Sequence, residues 1–452
     1  MALDTVLQKF IEKRPITVML AVVLENVFSA DTFDRIFDEA SERQYTRELA
    51  FSTVARLMSQ VALGPMASIH AAFRQDRAQI PVTIGAVYAK LKGVETPVMQ
   101  RLVEQTSESL AAVAGHLTTV RVQPVQGYRL KVIDGNVLAG TDHRPGVVRD
   151  TNAAALPGLA MVEYDYGSGL ITHLLPWADA HTNERRLMAA VAEWVQPKDL
   201  ILADRNFCTS EFLGAVASRG GAFLVRRHGS SAVTPTGEWR PCGRCKTGTV
   251  WEADVTLSSG LACRAIRIVR DKPLADGGTE VMLLTNLSRR TKAQALATLY
   301  LQRWTVEEAF RQLTQYLSCE VKTLGHPEAA LFAFTMAVLA YNGLACVRAA
   351  LASIRGRDRV AEGVSSYYLA SEVRGSMDGL RVAVAERVWG RYARLSPAEM
   401  AAVLKEIAGN IDWACYAKSP RGPKKPISRK KVRRGSHVST GKLLAEQASK
   451  KR

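Results

Sequence analysis

The strongest constraint on the fold is the order of strand and helix patterns between residues 128 and 226. Apolar alternation and turn residues predict three strands, followed by alternating helices and strands. In chain order the segments are Tyr128–Ile133, Leu159–Tyr166, Leu170–Pro176, Asn183–Val195, Asp199–Asp204, Ser210–Ser218 and Ala222–Arg226. The second and third strands flank Gly167-Ser168-Gly169, which predicts a hairpin.

This order predicts an α/β fold with a mixed sheet. Three antiparallel strands followed by βα units are the order of a ribonuclease-H-like fold. Residues 228–280, rich in Gly, Thr, Ser and alternating Val or Ile, predict a β-rich insertion into that catalytic core at 121–350. Helical patterns predict a helical N-terminal region at 1–120 and a helical C-terminal region at 351–417, followed by a tail at 418–452.

Most of the formal net charge of +17 lies in the tail. From Lys418 to Arg452 there are 13 Lys and Arg residues against one acid, Glu446. This composition predicts a disordered segment that binds phosphate without sequence specificity. The candidate DNA contacts in it are Lys424, Lys425, Arg429, Lys430 and Lys431.

Composition also indicates the compartment. Seven scattered cysteines predict reduced thiols, and Met-Ala-Leu-Asp at the start does not resemble a secretory signal, so we expect a cytoplasmic, nucleoid-associated protein. The uncharged run Ala329–Val347 is long enough to span a bilayer, but we interpret it as a buried core helix. Cys242 and Cys245 have zinc-knuckle spacing without a second close pair, which favours a hairpin turn.

Two carboxylates follow apolar strands, Asp134 in Val132-Ile133-Asp134-Gly135 and Asp204 in Leu202-Ala203-Asp204. Carboxylates at strand ends lie at the rim of a sheet, where neighbouring loops open a cleft. Such oxygen ligands suit Mg²⁺ or Mn²⁺, and two ions are expected. Asp142 and Asp165 are rivals for Asp134, but neither ends an apolar strand.

A third carboxylate lies in a helical pattern. Tyr300, Arg303, Glu307, Arg311 and Thr314 are spaced to share one helical face. Arg303 can bind a phosphate through its two nitrogens, and Glu307 can complete a metal site. The neighbouring residue 308 points about 100° away, so Glu307 is preferred.

These motifs resemble the IS4 family of DDE transposases over about residues 40 to 350. The resemblance lies in Asp134-Gly135, Asp204-Arg205-Asn206-Phe207 and Tyr300…Arg303-Trp304…Glu307. The family pattern continues with Lys six residues after Glu, where this chain has Thr314, and Asn206 stands where Gly is usual.

The resemblance implies a function and further contacts. It implies cut-and-paste transposition of double-stranded DNA through a DNA hairpin, by a homodimer on two element ends. It implies DNA contacts by Arg205, Tyr300, Arg303, Trp304 and Arg311, and end binding by the N-terminal helices. It also suggests that Trp239 or Trp251 stacks on an extruded base, although a packed β-core is the simpler interpretation.

Two other functions remain open. One is a DNA-binding protein of transposase descent without catalysis, which the Thr314 departure allows. The other is a metal-dependent nuclease that hydrolyses DNA and never joins it.

Overall fold

The computed structural model describes residues 5–117, 121–138, 158–179, 182–229, 231–274, 277–419, 422 and 440–450. Within these ranges the chain is a mixed α/β protein, as the sequence predicts. The first part is helical: α1 Thr5–Lys13, α2 Pro15–Val27, α3 Ala30–Ala40, α4 Phe51–Ala62, α5 Ile69–Gln75, α6 Ile84–Lys92 and α7 Thr96–His116. Ser29, Ser68 and Thr83 cap α3, α5 and α6 by accepting a backbone hydrogen bond.

The central part contains the sheet and two short helices. Its elements are β1 Arg129–Val137, β2 Leu159–Asp165, β3 Ile171–Trp177, α8 Met188–Ala192, β4 Asp199–Ala203, α9 Ser210–Ser218 and β5 Ala222–Arg226. A 3₁₀ turn at Glu184–Leu187 precedes α8. The predicted hairpin, helices and strands are confirmed here. One boundary is wrong: β1 continues past Asp134, because Gly135, Asn136 and Val137 still pair with β2.

Four further strands lie in the region 228–280, which was predicted as a β-rich insertion. Its strands are β6 Val233–Pro235, β7 Arg240–Cys245, β8 Gly248–Leu257 and β9 Ala262–Arg270, and β10 Glu280–Thr285 returns to the centre. The ten strands form one sheet in the order β3-β2-β1-β4-β5-β10-β9-β8-β6, with β7 paired to β8. Pairing is parallel between β1 and β4 and between β4 and β5, and antiparallel elsewhere. Cys242 and Cys245 lie in strand β7 and the turn of the β7–β8 hairpin follows at residues 246–247, so the interpretation of these cysteines as the turn itself is wrong.

Helices follow the sheet. They are α10 Ala293–Leu299, α11 Trp304–Gln315, α12 Pro327–Arg355, α13 Arg357–Gly363, α14 Ser366–Ala383, α15 Glu386–Trp389, α16 Pro397–Gly409 and α17 Thr440–Ser449. The last helix lies in the tail, so the prediction of a disordered segment is wrong at Thr440–Ser449. Its stretch from Leu443 to Ala448 consists of residues with favourable helix propensity, which explains the difference.

Helix α12 is the central helix of the core. It contains the apolar run Ala329–Val347 and is long and apolar enough to cross a membrane, but most of that run is buried inside the protein. It packs against α2, α4, α7 and β3. One hydrophobic core therefore joins the N-terminal helices, one face of the sheet and the C-terminal helices.

Helix α12 also covers the edge of the sheet. Strand β3 is the outermost strand, so its outer backbone groups have no neighbouring strand. The buried Asn342 side chain accepts a hydrogen bond from the Ile171 N–H at 2.9 Å and donates one to the Ile171 carbonyl at 2.8 Å. This side chain therefore takes the place of an adjacent strand at that point and closes an edge that is otherwise prone to aggregation.

We expect Asn342→Leu to destabilise the fold by roughly 2–5 kcal/mol, because both backbone groups of Ile171 lose their partner inside the core. Thermal unfolding followed by circular dichroism measures the effect as a lower Tm. The control is Asn410→Leu, which removes an exposed amide that donates to Glu406 within one helix. Equal Tm values for Asn342→Leu and the wild type would show that the two hydrogen bonds contribute nothing.

Candidate active site

The site begins where the parallel pairing of β1 and β4 ends. The last pair in this register is Val132 with Leu202. Two residues further along the same register, Asp134 of β1 is opposite Asp204, which directly follows β4. Apolar side chains before each carboxylate are buried and hold both strands in the sheet. The predicted convergence of the two carboxylates thus follows from strand register.

Asp134 is largely buried and lies beside like charge. Its Oδ1 accepts a hydrogen bond from the Gly135 N–H at 3.0 Å, and its Oδ2 lies 3.3 Å from Nη1 of Arg303. Burial raises the pKa of Asp134 to about 7; Arg303 opposes the rise, and Asp204 and Glu184 add to it. A cation bound beside Asp134 would therefore favour the ionised form of this carboxyl at neutral pH.

Asp204 is fixed by the turn that follows it. Its Oδ1 accepts a hydrogen bond from the Asn206 N–H at 2.7 Å, which caps a 3₁₀ turn at Arg205–Phe207. Buried Phe207 anchors that turn in the core below the sheet. Asn206, at the position where the family has Gly, is thus compatible with the turn and adds a side-chain amide to the site.

Helix α11 brings the third predicted carboxylate. Arg303 donates to Oε1 of Glu307 at 2.6 Å while it also contacts Asp134. The Arg303 side chain is 16% exposed, whereas that of Glu307 is 49% exposed. One guanidinium group therefore connects a buried carboxylate of β1 with an accessible carboxylate of α11.

A fourth carboxylate, Glu184, was missed by sequence reasoning. Its Oε2 accepts a hydrogen bond from Nδ2 of Asn206 at 2.9 Å. Its Oε1 lies 2.7 Å from the point where a Cβ on Gly135 would stand, so any other residue at 135 would require this carboxylate to shift away from Asp134. Burial raises the pKa of Glu184, the Asn206 hydrogen bond opposes this, and Asp204 adds to it. Its place just after the third strand was the only signal in the sequence.

Of the other residues predicted for this helical face, Tyr300 lies at the carboxylate site and Arg311 does not. Tyr300 lies near Arg303 and Asp204, and burial raises its pKa to about 12. Arg311 does not share the site with Glu307, because it binds Glu308 and the hydroxyl of Tyr316 instead. The prediction that residue 308 points away from Glu307 agrees with this pairing. The Thr314 hydroxyl donates to the Phe310 carbonyl of its own helix.

Several predicted residues lie elsewhere. Trp304 and Arg205 are exposed next to the site. Lys424, Lys425, Arg429, Lys430, Lys431 and the rival Asp142 lie outside the described residues. Asp165 caps the β2–β3 turn by accepting from Ser168, which gives it a structural role. Trp239 and Trp251 both contact the Arg267 guanidinium, at 4.8 and 5.6 Å from the ring centroids.

The donor chemistry of the site suits a divalent cation of the Mg²⁺ type. Asp134, Asp204, Glu184 and Glu307 offer only carboxylate oxygens, which Mg²⁺ and Mn²⁺ prefer. In the part of the chain that the structure describes, no three such ligands are grouped closely enough to hold an ion. Arg303 instead supplies the positive charge between Asp134 and Glu307.

Comparison with known proteins agrees with this chemistry. Residues 126–342 match the family model described as the transposase DDE domain. The matched segment includes Asp134, Glu184, Asp204, Arg303 and Glu307. The match supports a DDE transposase family, whose members in general cut and rejoin DNA with divalent metal ions. No curated protein matches the chain.

The raised pKa of Asp134 predicts a pH-dependent stability of the metal-free protein. Between about pH 4 and 7 the folded protein keeps a proton on Asp134 that the unfolded chain has already released, so stability falls as pH rises through this window. Asp134→Asn removes the titration and should stabilise the protein more at pH 8 than at pH 5, by about 2–3 kcal/mol.

Thermal unfolding in EDTA at the two pH values measures the difference. The exposed Asp31 provides the control, since Asp31→Asn should give the same small change at both. A gain from Asp134→Asn that is equal at pH 5 and pH 8 would contradict the raised pKa.

Proposed function

We propose that this chain is a DNA transposase that cleaves double-stranded DNA at the ends of a mobile element and joins the freed 3′-hydroxyl to target DNA. The observation that carries the proposal is the convergence of Asp134 and Asp204 where the parallel pairing of β1 and β4 ends, with Glu307 connected to Asp134 through Arg303. This arrangement lies within the segment that matches the transposase DDE domain.

The finer assignment is to the IS4 family with a ribonuclease-H-like core. It is supported by the strand order β3-β2-β1-β4-β5 and by an insertion of four strands between Asp204 and Glu307. The Tyr300, Arg303, Glu307 spacing and the Asp204-Arg205-Asn206-Phe207 segment are the sequence support. The same assignment implies a cytoplasmic protein that acts as a homodimer on two DNA ends.

Asp134, Asp204 and Glu307 are the proposed ligands for Mg²⁺ or Mn²⁺. Two such ions would activate a water or 3′-hydroxyl nucleophile and stabilise the leaving oxygen. Arg303 has a second role, because a guanidinium that binds carboxylates here can bind a phosphodiester oxygen equally well. A DNA phosphate entering the site would therefore compete with Asp134 and Glu307 for Arg303 and release both carboxylates.

DNA contacts outside the carboxylates are proposed for exposed groups around the site. Trp304 and Arg205 are accessible beside Arg303 and Asp204. The basic tail, including Lys424, Lys425 and Arg429 to Lys431, adds non-specific affinity. Thr314 stands where the family pattern has Lys, and its hydroxyl donates to its own helix, so a phosphate contact by a lysine at this position is not part of the proposal.

Glu184 is the proposed fourth acidic member of the site. It is connected to Asp204 through Asn206, whose side-chain amide donates to Glu184 and whose backbone N–H donates to Asp204, and it lies against Gly135, next to Asp134. Carboxylates in this position orient neighbouring ligands or bind the ion themselves. Glu184 is therefore proposed as a positioning residue for Asp134 and Asp204.

Asp134→Ala, Asp204→Ala and Glu307→Ala should each reduce Mg²⁺- or Mn²⁺-dependent nicking at least roughly a hundredfold, because each removes a charged ligand that the reaction needs. DNA binding in EDTA should remain measurable. The assay is gel analysis of labelled duplexes carrying the inverted repeats that flank the coding frame. Normal cleavage by Glu307→Ala would show that the site assignment is wrong.

The control and the competing functions use the same assay. Glu211→Ala removes an exposed carboxylate from the first turn of α9, the position that Glu307 holds in α11, and should leave nicking unchanged. Binding without cleavage under any metal would indicate a non-catalytic descendant. Cleavage without joining of a precleaved 3′-hydroxyl end would indicate a nuclease.

Glu184→Gln should weaken Mn²⁺ binding roughly 10- to 100-fold, the usual effect of removing a group that orients metal ligands. Isothermal titration calorimetry of the full chain without DNA measures the affinity. Glu193→Gln is the matched control, since its carboxylate is exposed and binds Arg219 on the surface. An unchanged Mn²⁺ affinity for Glu184→Gln would reduce Glu184 to a purely structural role.

A further inference from the structure

A second concave site lies beside helix α11, away from the carboxylates. It is a cavity of about 1120 Å³ between α11, α12, α13, α14 and the end of β2. Trp304, Glu308 and Arg311 of α11 line it, whereas Arg303 and Glu307 do not. We call it the arginine cavity, because Arg121, Arg348 and Arg357 also line it.

None of these three guanidinium groups forms an ion pair with a carboxylate among the described residues, although Glu308 attracts Arg348 and Asp358 attracts Arg357 at longer range. Arg348 donates to the Ser366 hydroxyl at 2.6 Å. Arg121 donates to the Tyr164 hydroxyl at 3.3 Å and lies 4.9 Å from the ring centroid of Tyr166. No ion pair within the described ranges involves Arg357. The cavity therefore collects cations that are held by neutral groups.

Burying the charged guanidinium groups of Arg348 and Arg357 without a bound anion is energetically unfavourable. Burial lowers the pKa of Arg348 and that of Arg357, and repulsion from Arg121 lowers the pKa of Arg357 further. Five cationic side chains line the cavity against two carboxylates, Glu308 and Asp358. Since partly buried cations require compensation, this imbalance indicates a ligand with more than one negative charge.

Aromatic rings make up much of the remaining surface. Six tyrosines and Trp304 line the cavity, and the side chains at its mouth are accessible: Trp304 is 62% exposed, Tyr367 51% and Tyr368 37%. Tyr367 contacts both Tyr316 and Tyr368 edge to face, which leaves ring faces available. Arginines interleaved with accessible rings are typical of surfaces that bind single-stranded nucleic acid through phosphates and stacked bases.

The size of the cavity limits which nucleic acids can bind in it. Pockets for small ligands measure roughly 300–1,000 Å³, and this one is slightly larger. Such a space admits a few nucleotides of one strand and excludes a double helix. Exposed Trp304, which lines the cavity, directly follows Arg303 of the carboxylate site in the chain, so the two sites are neighbours at this point.

We propose that the arginine cavity binds a short single-stranded segment of DNA beside the cleavage site. Arg121, Arg348 and Arg357 contact its phosphates, and Trp304, Tyr367 and Tyr368 stack on its bases. That the strand is DNA rests on the proposed function. The arginines and aromatic rings that would bind the strand do not include the proposed metal ligands, so strand binding does not require catalysis.

The test is the affinity of the full chain for fluorescein-labelled hexathymidylate, measured by fluorescence anisotropy in EDTA at constant ionic strength. Arg357→Ala should weaken this binding roughly tenfold, and Tyr367→Leu should do the same while Tyr367→Phe retains affinity, because a ring face is what stacks. Arg359→Ala is the matched control: Arg359 is exposed on the same helix, α13, outside the cavity. Each variant should keep the wild-type Tm.

The outcomes separate this inference from the proposed function. If Arg357→Ala and Tyr367→Leu bind hexathymidylate as tightly as the wild type and Arg359→Ala, the arginine cavity is not the strand site, even when the wild type cleaves duplex ends. If both variants lose affinity while no protein nicks DNA with any metal, the strand site stands and the transposase proposal fails. Equal losses for Arg357→Ala and Arg359→Ala would indicate only general charge attraction and would also overturn the inference.

Discussion

The parallel pairing of β1 with β4 is the interaction on which the site depends. Backbone hydrogen bonds fix Val132 opposite Leu202, and the apolar side chains of both strands are buried on the two faces of the sheet. Because the register is fixed there, Asp134 and Asp204 have to meet where the pairing ends. A slip of one residue would turn one carboxylate into the core, so the fold itself specifies this juxtaposition.

Concentrating negative charge in this way has a cost that Arg303 partly offsets. Burial and neighbouring carboxylates favour a protonated Asp134, while the guanidinium favours the ionised form. Arg303 contacts Asp134 and Glu307 at once, since its planar group binds in two directions. One guanidinium group thus compensates part of the negative charge of two carboxylates from different elements.

The sequence predicts the fold well because apolar residues recur with a clear strand or helix spacing, and glycine-containing turns separate the segments. It predicts Asp134 and Asp204 because both follow apolar strands. It does not predict Glu184, since the contact with Asn206 depends on how the turn after β3 approaches the turn after β4. Nor does it predict the position of Arg311: helical spacing puts this residue near Glu307, but Glu308 and Tyr316 bind its guanidinium first.

The 3₁₀ turn Tyr300–Arg303 and helix α11, which follows it, link the two sites, because consecutive residues contact different sites. Arg303 and Glu307 contact the carboxylate cluster, while Trp304 and Glu308 line the arginine cavity. Trp304 directly follows Arg303 in the chain, so a displacement of Arg303 away from Asp134 is expected to shift Trp304 at the cavity as well. Under the proposed function, a DNA phosphate that draws Arg303 away from Asp134 would therefore affect both sites.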